Sequence, residues 1–175
     1  MRALITTRAV AALAVTFCLT GPAAAEDAVT GAAVSAGVFN VLNAESSTEG
    51  GLEARLRPLW EGGTARRPDA AWILRPAVGG MLTSEGAVYG YAGFRLEIPM
   101  AERWALVPQT AAGVYDHGDE KDLGGSVQFR SGLELSYALG RENRVGVVFY
   151  HLSNAGLDEP NPGAESLILQ WSWGR

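Results

Sequence analysis

The chain has 175 residues, of which 47% are hydrophobic, 22 are glycine and one is cysteine, and its formal net charge is −5 at pH 7. An acidic chain without a basic stripe gives no support to nucleic-acid binding, and a single cysteine excludes an intramolecular disulfide. One domain of this length suffices for a small β-barrel.

The first 25 residues have the features of a secretory signal peptide. Arg2 and Arg8 are followed by an apolar run and then by three alanines ahead of Glu26, which is the pattern of a cleavage site. The apolar run is too short to cross a bilayer as a helix. We therefore predict a signal peptide over residues 1–25 and one domain, an outer-membrane β-barrel, over residues 26–175. Cleavage removes the cysteine and changes the net charge to −7.

Side chains that alternate between apolar and polar predict strands, because successive strand residues point to opposite faces. The clearest example is Leu123–Tyr137, where Val127, Phe129, Leu133 and Leu135 share one face and Gln128, Arg130 and Glu134 share the other. The eight predicted strands cover residues 31–42, 52–60, 72–82, 88–98, 103–115, 123–137, 145–153 and 165–173.

The polar faces of these strands contain charges of both signs. They are Glu53, Arg55, Arg57, Arg75, Arg95, Glu97, Gln109, Gln128, Arg130 and Glu134. An eight-stranded barrel has an interior just wide enough for side chains to fill it. The fold class predicted is therefore all-β, an eight-stranded antiparallel transmembrane β-barrel with ion pairs in its lumen and no open pore.

The predicted connections differ in length, as is typical of outer-membrane barrels with short periplasmic turns and longer outer loops. Residues 99–102 and 140–143 are short turns, whereas the connections at 40–51, 116–122 and 154–164 are longer and polar. The segment 61–71 is long where a short turn is expected. Prolines cannot donate to a ladder, so Pro58, Pro76 and Pro108 predict bulges or strand limits.

The last two predicted strands bring three reactive side chains together. His151 and Ser153 share the face of Phe149, and Glu165 shares the face of Leu167, Leu169, Trp171 and Trp173. If the strands pair as a hairpin, these apolar faces coincide and the three polar groups meet near the loop. A hydroxyl nucleophile, an imidazole base and a carboxylate that orients the base are the parts of a serine-hydrolase relay.

The motif H-x-S-N-A followed by N-P-G-x-E, over His151–Ala155 and Asn161–Glu165, resembles the signature of PagL, the outer-membrane lipid A 3-O-deacylase family. Outside this motif the resemblance rests on the strand pattern, chiefly Gln128–Tyr137. The resemblance implies an eight-stranded barrel whose catalytic Ser153, His151 and Glu165 lie on the outer wall and face lipid. It also implies a lipid A substrate and a location in the outer membrane of a Gram-negative cell.

Residues beside the triad have two interpretations. The backbone N–H of Asn154, with help from that of Gly156, could stabilise an oxyanion, or both residues could simply form the turn. Asn161 is expected to fix the loop so that Glu165 enters its strand in register. The acidic segment Asp116–Asp122 is a solvated loop rather than a metal site. We predict no metal and no cofactor.

The function predicted is a serine esterase that hydrolyses the 3-O-linked acyl chain of lipid A. Two alternatives remain open. The same triad could act on phospholipid or on another lipid A ester, or the barrel could be a non-catalytic adhesion or scaffold protein. The partners expected are lipopolysaccharide and outer-membrane lipids, and the sequence does not predict an oligomeric state.

Overall fold

The computed structural model describes residues 28–64 and 67–174, and the predicted signal peptide lies outside these residues. In this part of the chain no helix is long and apolar enough to cross a membrane. The strands described are β1 Val29–Phe39, β2 Ser47–Leu56, β3 Trp60–Thr64, β4 Arg67–Thr83, β5 Val88–Pro99, β6 Trp104–Asp116, β7 Val127–Ala138, β8 Asn143–Ser153 and β9 Ala164–Gly174.

The strands close into an eight-stranded antiparallel barrel, so the predicted fold class is confirmed. β1 pairs with both β2 and β9, and β2 pairs with β4. The short strand β3 continues the line of β2 along the same edge of β4, since Arg55 faces Ala77 and Trp60 faces Leu74. Pro58 lies in the interruption between them, as expected of a residue that cannot donate to the ladder.

Several predicted boundaries are wrong. The segment 61–71 was expected to be a long connection, but residues 60–64 and 67–71 belong to β3 and to the start of β4. This region is therefore a hairpin that prolongs two barrel strands. Pro76 and Pro108 mark neither bulges nor strand limits, because they face Phe94 and Leu133 without a shift in register. Pro108 does interrupt the β5–β6 ladder, which has no pair at Val107 or Pro108.

The strand predicted at Leu123–Tyr137 begins only at Val127. Leu123 is buried within the barrel end and not on the outward face. Gly124 has a φ of 89°, a conformation that suits glycine, and its N–H donates to Asp122 Oδ1 at 2.8 Å. The chain turns here because these local hydrogen bonds replace the ladder.

The barrel has two unlike ends, which we call the loop end and the turn end. The turn end contains the short connections 100–103 and 139–142, and the loop end contains residues 40–46, 84–87, 117–126 and 154–163. Trp104 and Trp173 lie at the turn end, where they face Tyr137 and Asn143. Exposed tryptophans of this kind are typical of a membrane interface.

The lumen is filled by side chains that pair with one another, as predicted. Glu53 Oε1 lies 3.2 Å from both Arg55 Nε and Arg95 Nη1, and Arg95 also pairs with Glu134. All four residues are almost completely buried. Arg57 departs from the prediction, because it follows the last residue of β2 and is exposed.

The outward face of the same strands is apolar. Val127, Phe129, Leu133 and Leu135 are 37–47% exposed, while Gln128, Arg130 and Glu134 are at most 5% exposed. The predicted alternation along β7 is therefore confirmed. A soluble protein seldom exposes such a continuous apolar surface, so this wall is suited to contact with lipid.

Candidate active site

His151 and Glu165 form a hydrogen-bonded pair across the last hairpin. They are direct partners in the β8–β9 ladder, and His151 Nδ1 lies 3.0 Å from Glu165 Oε1. Both side chains project from the apolar outward face, and they are 45% and 24% exposed. A carboxylate on Nδ1 leaves Nε2 of the neutral ring able to accept a proton, which is the arrangement a general base requires.

Ser153 is the last residue of β8 and lies on the same face as His151. Two residues of strand place it about 7 Å further along. Within the described residues its hydroxyl makes no hydrogen bond with the imidazole. The structure therefore forms the base–carboxylate contact but not the nucleophile–base contact. Such contacts are often long without substrate and tighten when it binds.

The cross-strand register reveals a second hydroxyl that the sequence analysis did not select. Ser131 on β7 faces His151, and Thr110 on β6 faces Ser131. Thr110, Ser131, His151 and Glu165 therefore form one polar row across four strands of the apolar wall. The available signal was the position of Ser131 on the outward face of its strand. Only the register between strands could connect it with His151.

The loop after Ser153 is built around the side chain of Asn154, which is completely buried. Asn154 Nδ2 donates to the carbonyl oxygens of Leu123 at 3.2 Å and Asp158 at 2.9 Å. The N–H of Asn154 donates to Asn161 Oδ1 at 3.1 Å, and the N–H of Gly156 donates to Asn154 Oδ1 at 2.8 Å. Both N–H groups predicted as oxyanion donors are thus engaged inside the loop.

Asn161 has the contact expected of a residue that fixes this loop. Its side-chain oxygen joins the end of β8 to the segment that leads into β9. For the Asn154 N–H to meet an oxyanion, the hydrogen bond to Asn161 would have to open. The geometry therefore favours a turn-forming role for Asn154 and Gly156 in the conformation described.

Gly163 lies against the reactive edge of the imidazole, which the sequence analysis did not anticipate. A Cβ atom on Gly163 would be 2.5 Å from His151 Cε1 and 3.1 Å from Nε2, and its φ is 60°. The carbonyl oxygen of Gly163 accepts a hydrogen bond from Lys121 Nζ at 2.7 Å. Lys121 is the one lysine in the sequence. The 117–126 loop therefore holds the backbone that packs on His151.

Two acidic side chains in and beside the 117–126 loop have hydrogen-bond partners within the protein. Glu120 pairs with the hydroxyl of Ser47, and the neighbouring Asp116 accepts the N–H of Gly118 at 3.1 Å. Among the residues that the structure describes, no group of three or more His, Cys, Asp or Glu side chains could hold a metal ion.

Sequence comparison identifies relatives of this chain. A family model described as lipid A 3-O-deacylase (PagL) matches residues 50–174, a span that includes the whole polar row. The lipid A deacylase PagL of Bordetella bronchiseptica is 37% identical over 54 residues. That alignment covers 31% of this chain and 30% of the Bordetella protein.

Two solved structures share the fold. The crystal structure of the outer membrane enzyme PagL has a TM-score of 0.61 and 19% identity, covering 83% of this chain and 99% of that one. A structure from the de novo design of transmembrane β-barrels has a TM-score of 0.53 and 9% identity, covering 84% and 97%. At these identities the likeness concerns the barrel architecture alone.

Proposed function

The chain belongs to the PagL family of lipid A 3-O-deacylases, and from this membership we propose that it hydrolyses the 3-O-linked acyl ester of lipid A in the outer membrane. Ser153 is the nucleophile, His151 the general base and Glu165 the residue that orients His151. The observation that supports this assignment best is the 3.0 Å hydrogen bond between His151 and Glu165 on a largely apolar wall.

The position of this pair is difficult to explain without chemistry. A charged side chain on the lipid face of a barrel costs up to about 2–4 kcal/mol at the bilayer midplane and less near the interface. His151 and Glu165 lie at the loop-end margin of the apolar wall, beside Phe149 and Leu167. If the pair served only the fold, two apolar residues in its place would make the barrel equally stable or more stable.

In the proposed reaction, Ser153 Oγ attacks the ester carbonyl carbon while His151 Nε2 takes the hydroxyl proton. The tetrahedral intermediate collapses, the C–O bond to the sugar breaks, and His151 returns the proton to the leaving alcohol. Water then attacks the acyl-enzyme with His151 again as base, which releases the fatty acid and restores Ser153. Glu165 stabilises the protonated imidazole.

The oxyanion donors are part of the proposal. The N–H of Asn154 directly follows the nucleophile, and it becomes available when its hydrogen bond to Asn161 opens on substrate binding. The N–H of Gly156 is a second donor on the same tight turn, and it becomes available when its hydrogen bond to Asn154 Oδ1 opens as well. Ala155 and Gly156 have φ values of 54° and 77°, and successive N–H groups in such a turn form a concave site for an anion.

An outward-facing site suits a substrate whose acyl chains lie in the membrane. The enzyme need not extract the chains, because the ester reaches the wall from within the leaflet. In the proposed orientation the signal peptide delivers the chain to the periplasm, and an even number of barrel strands returns it there. The loop end, and with it the site, then lies at the outer leaflet where lipid A resides.

The activity test is product analysis. Purified protein in detergent is incubated with lipid A and, separately, with phospholipid, and the products are weighed by mass spectrometry. We expect lipid A to lose the one acyl chain linked at position 3 and phospholipid to remain intact. Release of a different lipid A chain, or of fatty acid from phospholipid, would contradict the substrate. No release from either would favour a scaffold or adhesion role.

The orientation has its own test. An epitope tag inserted at Asp158 in the 154–163 loop should bind antibody on intact cells, whereas a tag within residues 140–143 should bind only after permeabilisation. The opposite result would invert the barrel and remove outer-leaflet lipid A as the substrate.

A further inference from the structure

A cavity of about 290 Å³ opens at the turn end of the lumen, away from the polar row. Charged side chains from several strands and one turn surround it: Arg55, Arg75, Arg141, Arg144, Glu61 and Glu97. Arg144 and His151 are seven positions apart on β8, which corresponds to about 23 Å along the strand. The cavity is therefore a different place from the candidate active site.

The arginines of this cavity exceed the carboxylates that could neutralise them. Arg55 pairs with Glu53 at 3.2 Å, and Arg75 pairs with Glu97 at 3.2 Å. Arg144 Nε donates to the neutral hydroxyl of Ser136 at 2.9 Å. In residues 28–64 and 67–174, neither Arg144 nor Arg141 forms an ion pair with a carboxylate.

We propose that this cavity binds a soluble ligand that contains a phosphate group. Guanidinium groups present several N–H donors in a planar fork that matches phosphate oxygens, and here they come from β2, β4, β8 and the turn after β7. The volume is near the lower limit of small-molecule sites, about 300 Å³, which suits a compact anion. In the orientation proposed above, the cavity opens to the periplasm.

Burial strengthens the attraction and fixes the geometry. Arg55 and Arg75 are only 6% and 4% exposed, so their charges act in a medium of lower dielectric than water. Arg141 lies on the exposed turn and Arg144 on the adjoining strand, and both can adjust to the bound anion. The site thus has a rigid inner pair and an adaptable outer pair of arginines.

The test uses the full-length protein in detergent and inorganic pyrophosphate as the probe, measured by isothermal titration calorimetry. We expect saturable binding with a Kd in the range of about 1 mM or tighter. The double variant Arg141→Gln/Arg144→Gln should weaken it at least about tenfold, because two charge-assisted contacts are lost. Lipid A deacylation by this variant should be unchanged.

Arg103→Gln is the matched control, because Arg103 is an exposed arginine at the turn end that does not line the cavity. It should leave the pyrophosphate Kd within about twofold. Absence of saturable binding, or equal weakening by Arg103→Gln and by the double variant, would overturn the proposal.

A lipid headgroup could supply the same phosphate chemistry, and a second titration separates the two sources. The protein is placed in nanodiscs of phosphatidylcholine or of phosphatidylglycerol. Because the cavity lies in the lumen and not on the lipid-facing wall, the pyrophosphate Kd should be the same in both. Weaker binding in phosphatidylglycerol would identify a headgroup as the occupant and overturn the assignment to a soluble ligand.

Discussion

Polar side chains have different surroundings on the two faces of the barrel wall. In the lumen, Arg95 is surrounded by carboxylates and makes two ion pairs, with Glu53 and Glu134. On the outward face, His151 and Glu165 form a hydrogen bond with each other, and their neighbours along the two strands, Phe149 and Leu167, are apolar. The inward side chains fill the narrow lumen, and their charges neutralise one another. The outward pair has no such role in filling the lumen, and this contrast is a reason for proposing it as the active site.

The comparison also separates two kinds of mutational effect. Changing an inward charge should destabilise the barrel and leave the chemistry of the folded molecules unchanged. Changing the outward pair or Ser153 should abolish the chemistry and leave the barrel stable.

Ser153→Ala should reduce deacylation by about four to six orders of magnitude, as loss of a nucleophile does in serine hydrolases. Folding should be unchanged, which the mobility of unheated protein on electrophoresis would report. Ser131→Ala is the matched control, because Ser131 is the other hydroxyl beside His151. If Ser131→Ala is inactive and Ser153→Ala is active, the nucleophile has been assigned to the wrong strand.

Glu165→Gln should reduce kcat by about 10⁴-fold, because an amide no longer holds the required tautomer or stabilises the imidazolium. The KM for lipid A should change little. Leu167→Gln serves as control, since it places the same amide on the same face of β9, two residues from Glu165. Equal losses in the two variants would show that any polar change on this wall disturbs the site.

Arg95→Met should destabilise the barrel by about 3–5 kcal/mol, because it leaves two buried carboxylates without their shared partner. Urea unfolding in detergent, followed by tryptophan fluorescence, measures this change. The double variant Arg95→Met/Glu134→Leu should recover part of the loss, because one stranded charge is removed. The kcat of the folded fraction should equal that of the wild type, and a large fall in kcat would contradict the separation of the two faces.

Leu133→Arg should cost about 2–4 kcal/mol, because it places a charge on the lipid-facing wall near the middle of β7. Glu134→Gln, which changes the neighbouring residue on the inward face of β7, is the variant with which Leu133→Arg is compared. Spin labels at Leu133 and at Glu134 should differ in accessibility to oxygen and to nickel complexes. A uniform response would count against the register of β7 in a membrane.

Gly163→Ala should have the smallest effect, about 1 kcal/mol of stability and about tenfold in kcat. The added methyl group strains a residue with positive φ and pushes on the edge of His151. Gly86→Ala is the control, because Gly86 also has positive φ at the loop end but no atom lies within 4 Å of its added Cβ. If both variants lose the same kcat, the contact with His151 is unimportant.

Much of this architecture could be predicted from residue alternation. The two-residue period places Phe129 outward and Arg130 inward without knowledge of partners, and the same period places His151, Ser153 and Glu165 on one wall. The H-x-S and N-P-G-x-E motifs then indicate the family. These features are local, so a single sequence contains them.

Features that depend on pairing between distant segments could not be predicted in this way. The position of Ser131 opposite His151 depends on the β7–β8 register, which a slip of one residue would change. The hydrogen bond from Lys121 to Gly163 joins two loops 42 residues apart. The continuation of β2 by β3 was missed because residues 61–71 show no clear alternation of apolar and polar side chains, although Glu61 and Gly62 face Ile73 and Trp72 in the ladder.

The distances along the chain between paired residues have a consequence for how the molecule assembles. His151 and Glu165 are 14 residues apart, whereas Arg95 and Glu134 are 39 apart and Glu49 and Ser166 are 117 apart. The entropic cost of closing a loop rises with its length. The pair of His151 and Glu165 can therefore form once one hairpin is ordered, whereas the contacts in the lumen need strands from around the whole barrel. The pairing of β1 with β9 can then form after His151 and Glu165 are already in register.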